Sequence, residues 1–192
     1  MKRLVVTGVS CLMVMGLART AAAQGDASKV EISGGWQYSG LRSNDEETWE
    51  HFEKGWYGDV AFRAKGIWSA VAQVSGAYET RVDQAGDIKV KVHPYVFGIR
   101  ATSRKNPQRD LFAQFLVGAT NLNVSQERNF DESTTALTFQ TGGGAKIHLS
   151  DRVGVRVVGE YIRIMPNDDN NIAEEAIHGI RLSVGLAFGF GS

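Results

Sequence analysis

From residue 178 to the C-terminus, large apolar and small or polar side chains alternate without a break. Ile180, Leu182, Val184, Leu186, Phe188 and Phe190 hold the even positions, and Gly179, Arg181, Ser183, Gly185, Ala187 and Gly189 the odd ones. A helix would mix the two sets around its surface, whereas a strand sorts them onto opposite faces. The preceding segment repeats the pattern, with Val153, Val155, Val157, Gly159 and Tyr161 on one face and Gly154, Arg156, Val158 and Glu160 on the other. The same reading predicts strands near 29–40, 55–64, 68–79, 88–100, 110–120, 137–148, 152–164 and 178–190. In the fourth, Val90 and Val92 share one parity while Tyr95, Phe97 and Ile99 share the other. A bulge at His93–Pro94 is expected to switch the faces there, since an extra residue does so and proline is tolerated at bulges.

The connections alternate in expected length. Residues 41–54, 80–87, 121–136 and 165–177 are polar and long; 65–67 and 149–151 are tight turns; 101–109 is a longer basic turn. Strands of about ten residues, an even strand count and long connections on one side only are the plan of an outer-membrane barrel. The expected fold is therefore all-β: an eight-stranded antiparallel up-and-down transmembrane β-barrel, in one domain over residues 24–192.

The start of the chain is different. Met1-Lys2-Arg3 is a positive start, Leu4 to Ala18 is mostly apolar and uncharged, and Ala21-Ala22-Ala23 precedes polar Gln24-Gly25-Asp26. This is the layout of a secretory signal peptide, with cleavage expected after Ala23. The apolar run is shorter than the roughly 20 residues that a spanning helix needs. Over the whole chain 21 basic residues balance 21 acidic ones; without Lys2, Arg3 and Arg19 the balance is 18 − 21 = −3. That disfavours a strongly basic nucleic-acid binder. The single cysteine, Cys11, lies in the leader, so the expected mature chain has no disulfide.

Alternation alone also fits a soluble periplasmic ligand-binding barrel, so the identity of the inward face decides. The polar face is rich in Gly, Ala and Ser, and the chain holds 22 Gly against 3 Pro. Small residues suit the narrow interior of an eight-stranded barrel, which side chains nearly fill. On a solvated sheet glycine only weakens the strand. The lumen is expected to carry a polar network of Glu31, Tyr57, Asp59, Arg63, Lys146, Arg156, Glu160 and Arg181. Mixed charges in such confinement must pair, which makes a plug the expectation rather than a pore. With the N-terminus in the periplasm, Trp36, Tyr38, Trp56, Tyr78 and Tyr161 fall near the outer strand ends. Trp68, Phe62, Phe97, Phe188 and Phe190 fall near the inner ends, giving two aromatic girdles.

Ser183-x-Gly185-x-x-Phe188-x-Phe190 resembles the C-terminal assembly signal of outer-membrane barrels. The run Gly142-Gly143-Gly144-Ala145-Lys146-Ile147, leading into Ser150-Asp151-Arg152-Val153-Gly154-Val155-Arg156, resembles the sixth and seventh strands of the small OmpA/OmpX-like barrel family. The resemblance implies the cell outer membrane as location. It implies outer-membrane lipid, lipopolysaccharide and the barrel assembly machinery as partners, and a structural or surface-interaction role in envelope integrity, adhesion or defence. A monomer with no cofactor, no resident metal and no nucleic-acid partner is expected, with a surface ligand open.

A lipid A-acting enzyme, deacylase- or acyltransferase-like, is the alternative. His148-Leu149-Ser150 with Glu160 superficially resembles a His-x-Ser-plus-acid arrangement, in which serine needs histidine as base and a carboxylate to orient it. The expected topology sets these groups at opposite ends of a strand, so no catalytic residue is assigned. Asp45, Glu46, Glu47, Glu50 and Glu53 make the first outer loop acidic, as Asp168, Asp169, Glu174 and Glu175 do the last, and divalent ions could bridge such a rim to anionic lipopolysaccharide. Trp49 and Phe52 suggest a contact tip in the first loop, or a loop packed on the rim.

Overall fold

The computed structural model describes residues 30–43, 49–83, 86–106, 108–126, 130–150, 152–165 and 176–191. The expected leader, residues 1–23, lies outside them. Eight strands follow one another: β1 Val30–Ser43, β2 Glu50–Lys65, β3 Trp68–Asp83, β4 Gly86–Asn106, β5 Arg109–Gln126, β6 Phe130–His148, β7 Val153–Met165 and β8 Ile177–Phe190. Each pairs antiparallel with its chain neighbours, and β8 returns to β1, so the sheet is a closed barrel in simple sequence order. Closure leaves no unpaired strand edge, which a lipid bilayer would not tolerate.

The barrel is strongly staggered. Following partners from Ser33 through Asp59, Gln73, Val96, Gly118, Thr138, Ile164 and Ile177 returns to β1 at Ser43, so the register climbs 43 − 33 = 10 residues. Such stagger tilts the strands against the barrel axis. Residues that meet across the lumen are therefore not register partners, and sequence separation says little about who meets whom.

The strands run longer than the periodicity predicts, mainly at their outer ends. The connection expected over 80–87 shrinks to 84–85, and that over 121–136 to 127–129. The expected basic turn at 101–109 is also short. β4 continues to Asn106 and β5 begins at Arg109, so Arg104 and Lys105 belong to a strand. Polar alternation at a strand end reads as loop in sequence, but here the backbone pairing continues beyond the lipid-facing band.

The bulge expected at His93–Pro94 is absent. Val74 pairs with Tyr95 and Ala77 with Val92, so one register holds on both sides of Pro94. A face switch occurs instead in β2, where the register shifts opposite Gln37/Ser39. Across that shift Phe52 points inward, although Tyr57, Asp59 and Ala61 are the inward residues below it.

Candidate functional site

The lumen is filled from both ends by different chemistry. Its inner part is polar and charged. Asp59, on β2 and fully buried, accepts hydrogen bonds from two arginines: Arg100 Nη2 at 3.2 Å and Arg156 Nη1. Arg156 also donates to Ser33 Oγ at 2.7 Å and to Gln114 Oε1 at 3.2 Å, and Arg100 Nε donates to the same Gln114 oxygen at 2.8 Å. Both guanidiniums stack over the Phe112 ring, at 5.0 and 4.5 Å from its centroid. Cation–π contact of this kind gains strength where water is excluded.

Nearer the inner mouth, Glu31 receives Lys146 Nζ at 2.6 Å and Arg100 Nη1 at 3.3 Å. Asp110 faces Lys146 at 3.4 Å, His148 Nε2 at 3.3 Å and Arg104 at 4.0 Å. Arg104 lies beyond the inner girdle residue Trp68, and its guanidinium pKa is held below the ordinary value, first by burial and then by repulsion from Arg63.

A second polar layer lies outward of the first. Arg181 donates through Nε to Glu160 Oε2 at 2.9 Å, through Nη1 to Ser75 Oγ at 3.0 Å and through Nη2 to Gln140 Oε1 at 2.7 Å. Gln114 Nε2 donates to Glu160 Oε1 at 2.7 Å and joins the layers. The Gly142–Gly144 run makes room for them. A Cβ at Gly142 would meet Glu160 Cγ at 2.8 Å, and one at Gly144 would meet the Phe112 ring at 2.8 Å. On the β2–β5 wall, Ala61, Val71, Val96 and Leu116 form a small buried apolar cluster.

The outer part of the lumen is mainly apolar. Leu41, Phe52, Ala77, Val92, Leu122, Ala136, Ile162 and Ile164 form one buried cluster there, with Val90 and Ile177 packed against it. Strand polarity has inverted at this level. Below, large apolar side chains such as Phe97 and Leu182 point outward and polar ones point in. Above, Lys89, Lys91, Thr135 and Arg163 point outward, and Val90, Val92, Ala136, Ile162 and Ile164 point in. This accounts for the parity break in β4 without a bulge: the strand keeps its register and leaves the apolar environment. Phe52 belongs to this cap and is 1% exposed, so it is not a loop-tip residue; Trp49 is exposed.

Of the eight network residues read from sequence, the structure brings Glu31, Asp59, Lys146 and Arg156 into the inner layer and Glu160 and Arg181 into the outer one. Tyr57 is buried, with its hydroxyl against Gly185, and makes no direct hydrogen bond to the charged groups. Arg63 stands at the mouth, where its Nε donates to Gly66 O at 3.3 Å. Sequence reading missed Arg100, Asp110, Phe112, Gln114 and Gln140. Their signal is the even parity they share with Val96, Leu116 and Thr138 on β4, β5 and β6, which the misread break at Pro94 concealed.

On the outer surface, Trp36 pairs with Trp56, and Trp36 Nε1 donates to Glu53 O at 2.9 Å. Trp56 Nε1 donates to Tyr78 Oη at 3.1 Å. Three tyrosines of this belt each meet a cross-strand histidine: Tyr38 with His51, Tyr78 with His93, and Tyr161 with His178. Sequence spacing gives no sign of these pairs, because each spans a connection of different length. Trp68, Phe188 and Phe190 lie at the inner strand ends. Phe97 does not. It pairs with Ala72 and Val117, four residues outward of Ala101, the partner of Trp68, and so sits mid-strand. In the assembly segment, Ser183 and Gly185 take inward positions opposite Gln37 and Gly35, while Phe188 and Phe190 face outward.

The residues weighed for catalysis do not meet. His148 pairs with Asp110, Ser150 Oγ accepts Val153 N at 3.2 Å, and Glu160 is held by Arg181 and Gln114. Asp45, Glu46, Glu47, Asp168, Asp169, Glu174 and Glu175 lie outside the described residues. Among the described residues no group of three potential metal ligands is present.

A family model for the outer membrane protein β-barrel domain matches residues 9–189. No curated protein sequence matches the chain. Among solved structures, the barrel is similar to the attachment invasion locus protein Ail of Yersinia pestis in complex with the heparin analogue sucrose octasulfate. That match has a TM-score of 0.60 at 13% identity, covering 86% of this chain and 100% of the other. Neisserial surface protein A gives 0.62 at 10% identity, covering 86% and 98%. OprG from Pseudomonas aeruginosa gives 0.50 at 8% identity, covering 86% and 97%. At these identities the likeness is one of fold.

Proposed function

The chain belongs to the outer membrane protein β-barrel domain family, and from that premise we propose that it is a plugged scaffold that presents its outer hairpin ends at the cell surface. The role is structural or surface-interactive: envelope integrity, adhesion or defence. The observation that carries this reading is the filling of the lumen by two polar layers and an apolar cap. Small barrels leave little aqueous space, and here charge pairing and packing occupy it. What remains free to vary is the set of connections at the outer end, held on a rigid frame. The name of the Yersinia neighbour, an attachment protein, is of the same kind.

Outer-membrane lipid and lipopolysaccharide are the surroundings in this reading, met by the tryptophan and tyrosine belt. The barrel assembly machinery is the partner that takes up Ser183, Gly185, Phe188 and Phe190. The protein acts as a monomer after removal of residues 1–23, and its outer acidic residues bridge to lipopolysaccharide through divalent ions.

Two measurements test the proposal. In planar lipid bilayers the purified protein should give no stable open-channel steps; sustained conductance would overturn the plug. In cells, replacing residues 44–49 and 166–176 by short Gly-Ser turns should abolish the surface phenotype of the parent, scored as adhesion or envelope sensitivity, while the heat-dependent gel shift of a folded barrel persists. A turn-replaced variant with the full phenotype would overturn the presentation role.

A further inference from the structure

The inner mouth of the lumen holds a cavity of about 270 Å³. It is ample for several waters or a small polyatomic ion. Arg63, Arg104, Lys146 and His148 line it, and Arg100 with Phe112 forms its outer wall. Beyond that wall lie the Arg156–Asp59 pair, the second polar layer and the apolar cap. A solute would therefore enter and leave through the inner end.

Among the described residues, the charges of this vestibule do not balance. Including the pair behind the wall, five basic side chains (Arg63, Arg100, Arg104, Lys146 and Arg156) meet three carboxylates, Glu31, Asp59 and Asp110. Those carboxylates are already shared. Glu31 binds Lys146 and Arg100, Asp59 binds Arg100 and Arg156, and Asp110 binds Lys146 at 3.4 Å and His148 at 3.3 Å. Arg104 reaches Asp110 only at 4.0 Å. Among the described residues Arg63 has no carboxylate within ion-pair distance, and its Nε rests on a backbone carbonyl. Two guanidiniums thus keep donors free on one cavity, and the charge of Arg63 adds to burial in lowering the pKa of Arg104. Like charges beside a low-dielectric wall repel more than they would in water. A cleft with surplus charge of one sign concentrates counter-ions. The planar guanidinium fork matches oxyanions such as phosphate and carboxylate, and two forks favour an anion with more than one charge.

We propose that this vestibule is a binding site for a small multivalent oxyanion of the phosphate class, bridged by Arg63 and Arg104 and reached from the inner, periplasmic side. The side of entry rests on the orientation adopted above; the binding chemistry does not. The ligand chemistry is shared by free phosphate and by the phosphomonoester headgroup of phosphatidic acid in the inner leaflet.

The test uses the folded full-length barrel in a phosphate-free maltoside detergent, titrated calorimetrically with inorganic pyrophosphate at low salt. One-to-one saturable binding is expected. It should weaken by about tenfold or more in the Arg63→Gln/Arg104→Gln variant, since each charge-assisted hydrogen bond carries that order of effect. Arg152→Gln, a control for exposed charge, should bind like the parent. Absence of saturable binding in the parent, or equal weakening by the control, overturns the proposal. If the double variant loses its heat-dependent gel shift, the parent decides alone: pyrophosphate should shift the side-chain Nε resonances of Arg63 and Arg104, and unmoved resonances overturn the site. Added phosphatidic acid either competes with pyrophosphate, assigning the site to a lipid headgroup, or does not, assigning it to a free anion; both outcomes support the shared chemistry. Because this is read on purified protein, its failure leaves the surface role untouched, and failure of the surface role leaves the vestibule untouched.

Discussion

The inner and outer parts of this barrel solve opposite problems with the same sheet. In the inner part the outward face is apolar, and the interior is polar because apolar side chains are already used outside. Order there comes from directional bonds: one aspartate between two arginines, one glutamine shared by both. In the outer part Lys89, Lys91 and Arg163 point outward, and the interior closes by packing Phe52, Leu122, Ile162 and Ile164. That is the arrangement of a water-soluble barrel, stacked on a membrane barrel without interruption of the strands. The solvent outside sets the chemistry inside.

The largest expected effect falls on the inner part. Asp59→Asn leaves Arg156 buried without its carboxylate and Arg100 with only Glu31, which Lys146 shares, and breaking such a buried pair costs about 3–5 kcal/mol. Urea unfolding in lipid vesicles should show that loss. The second polar layer offers the contrasting case, since replacing both partners of a buried pair is often neutral. An Arg181→Met/Glu160→Leu variant should stay within about 1–2 kcal/mol of the parent by the same measurement. If both changes cost the same, the loss at Asp59 is not that of an uncompensated buried charge.

Phe52→Ala comes next. It removes a ring that is 1% exposed from the apolar cap, which ordinarily costs about 3–5 kcal/mol. Here the loss should appear as local opening. Hydrogen exchange should rise in the outer ends of β1, β2 and β8 and stay unchanged around Asp59 and Gln114. Faster exchange throughout would mean that the two parts are one cooperative unit. The smallest effect is expected at the junction, where Thr120 Oγ1 and Thr138 Oγ1 are fully buried and 2.6 Å apart. Thr120→Val should cost about 1 kcal/mol, the net worth of one hydrogen bond, in the same unfolding measurement.

The inner part was the more legible in sequence. In β7 and β8 the alternation Val157/Arg156 and Leu182/Arg181 states both faces at once, because lipid and lumen demand opposite side chains. The outer part was hard to read for the same reason. Where water replaces lipid, Val90 and Val92 occupy the parity that Arg100 and Thr102 occupy below, and the periodicity looks broken although the strand is not. Arg100, Asp110 and Gln114 carry only the even parity of their strands as a signal, and that parity is hidden where the outer ends of the strands change environment. Arg63 reads in sequence as a lumen residue and Arg104 as part of a basic turn; only the cavity that both line gives them a joint role.

The sequence by itself determined the strand number, the faces of the membrane-crossing parts and the need for small residues inside, because a period of two and the exclusion of bare backbone from lipid are local constraints. Which charges meet was decided by the tertiary structure alone. Lys146 reaches Glu31, and Arg156 reaches Ser33, only because closing the barrel with a ten-residue stagger brings distant strands to one level. Stagger is a property of the closed sheet, and no single strand carries it.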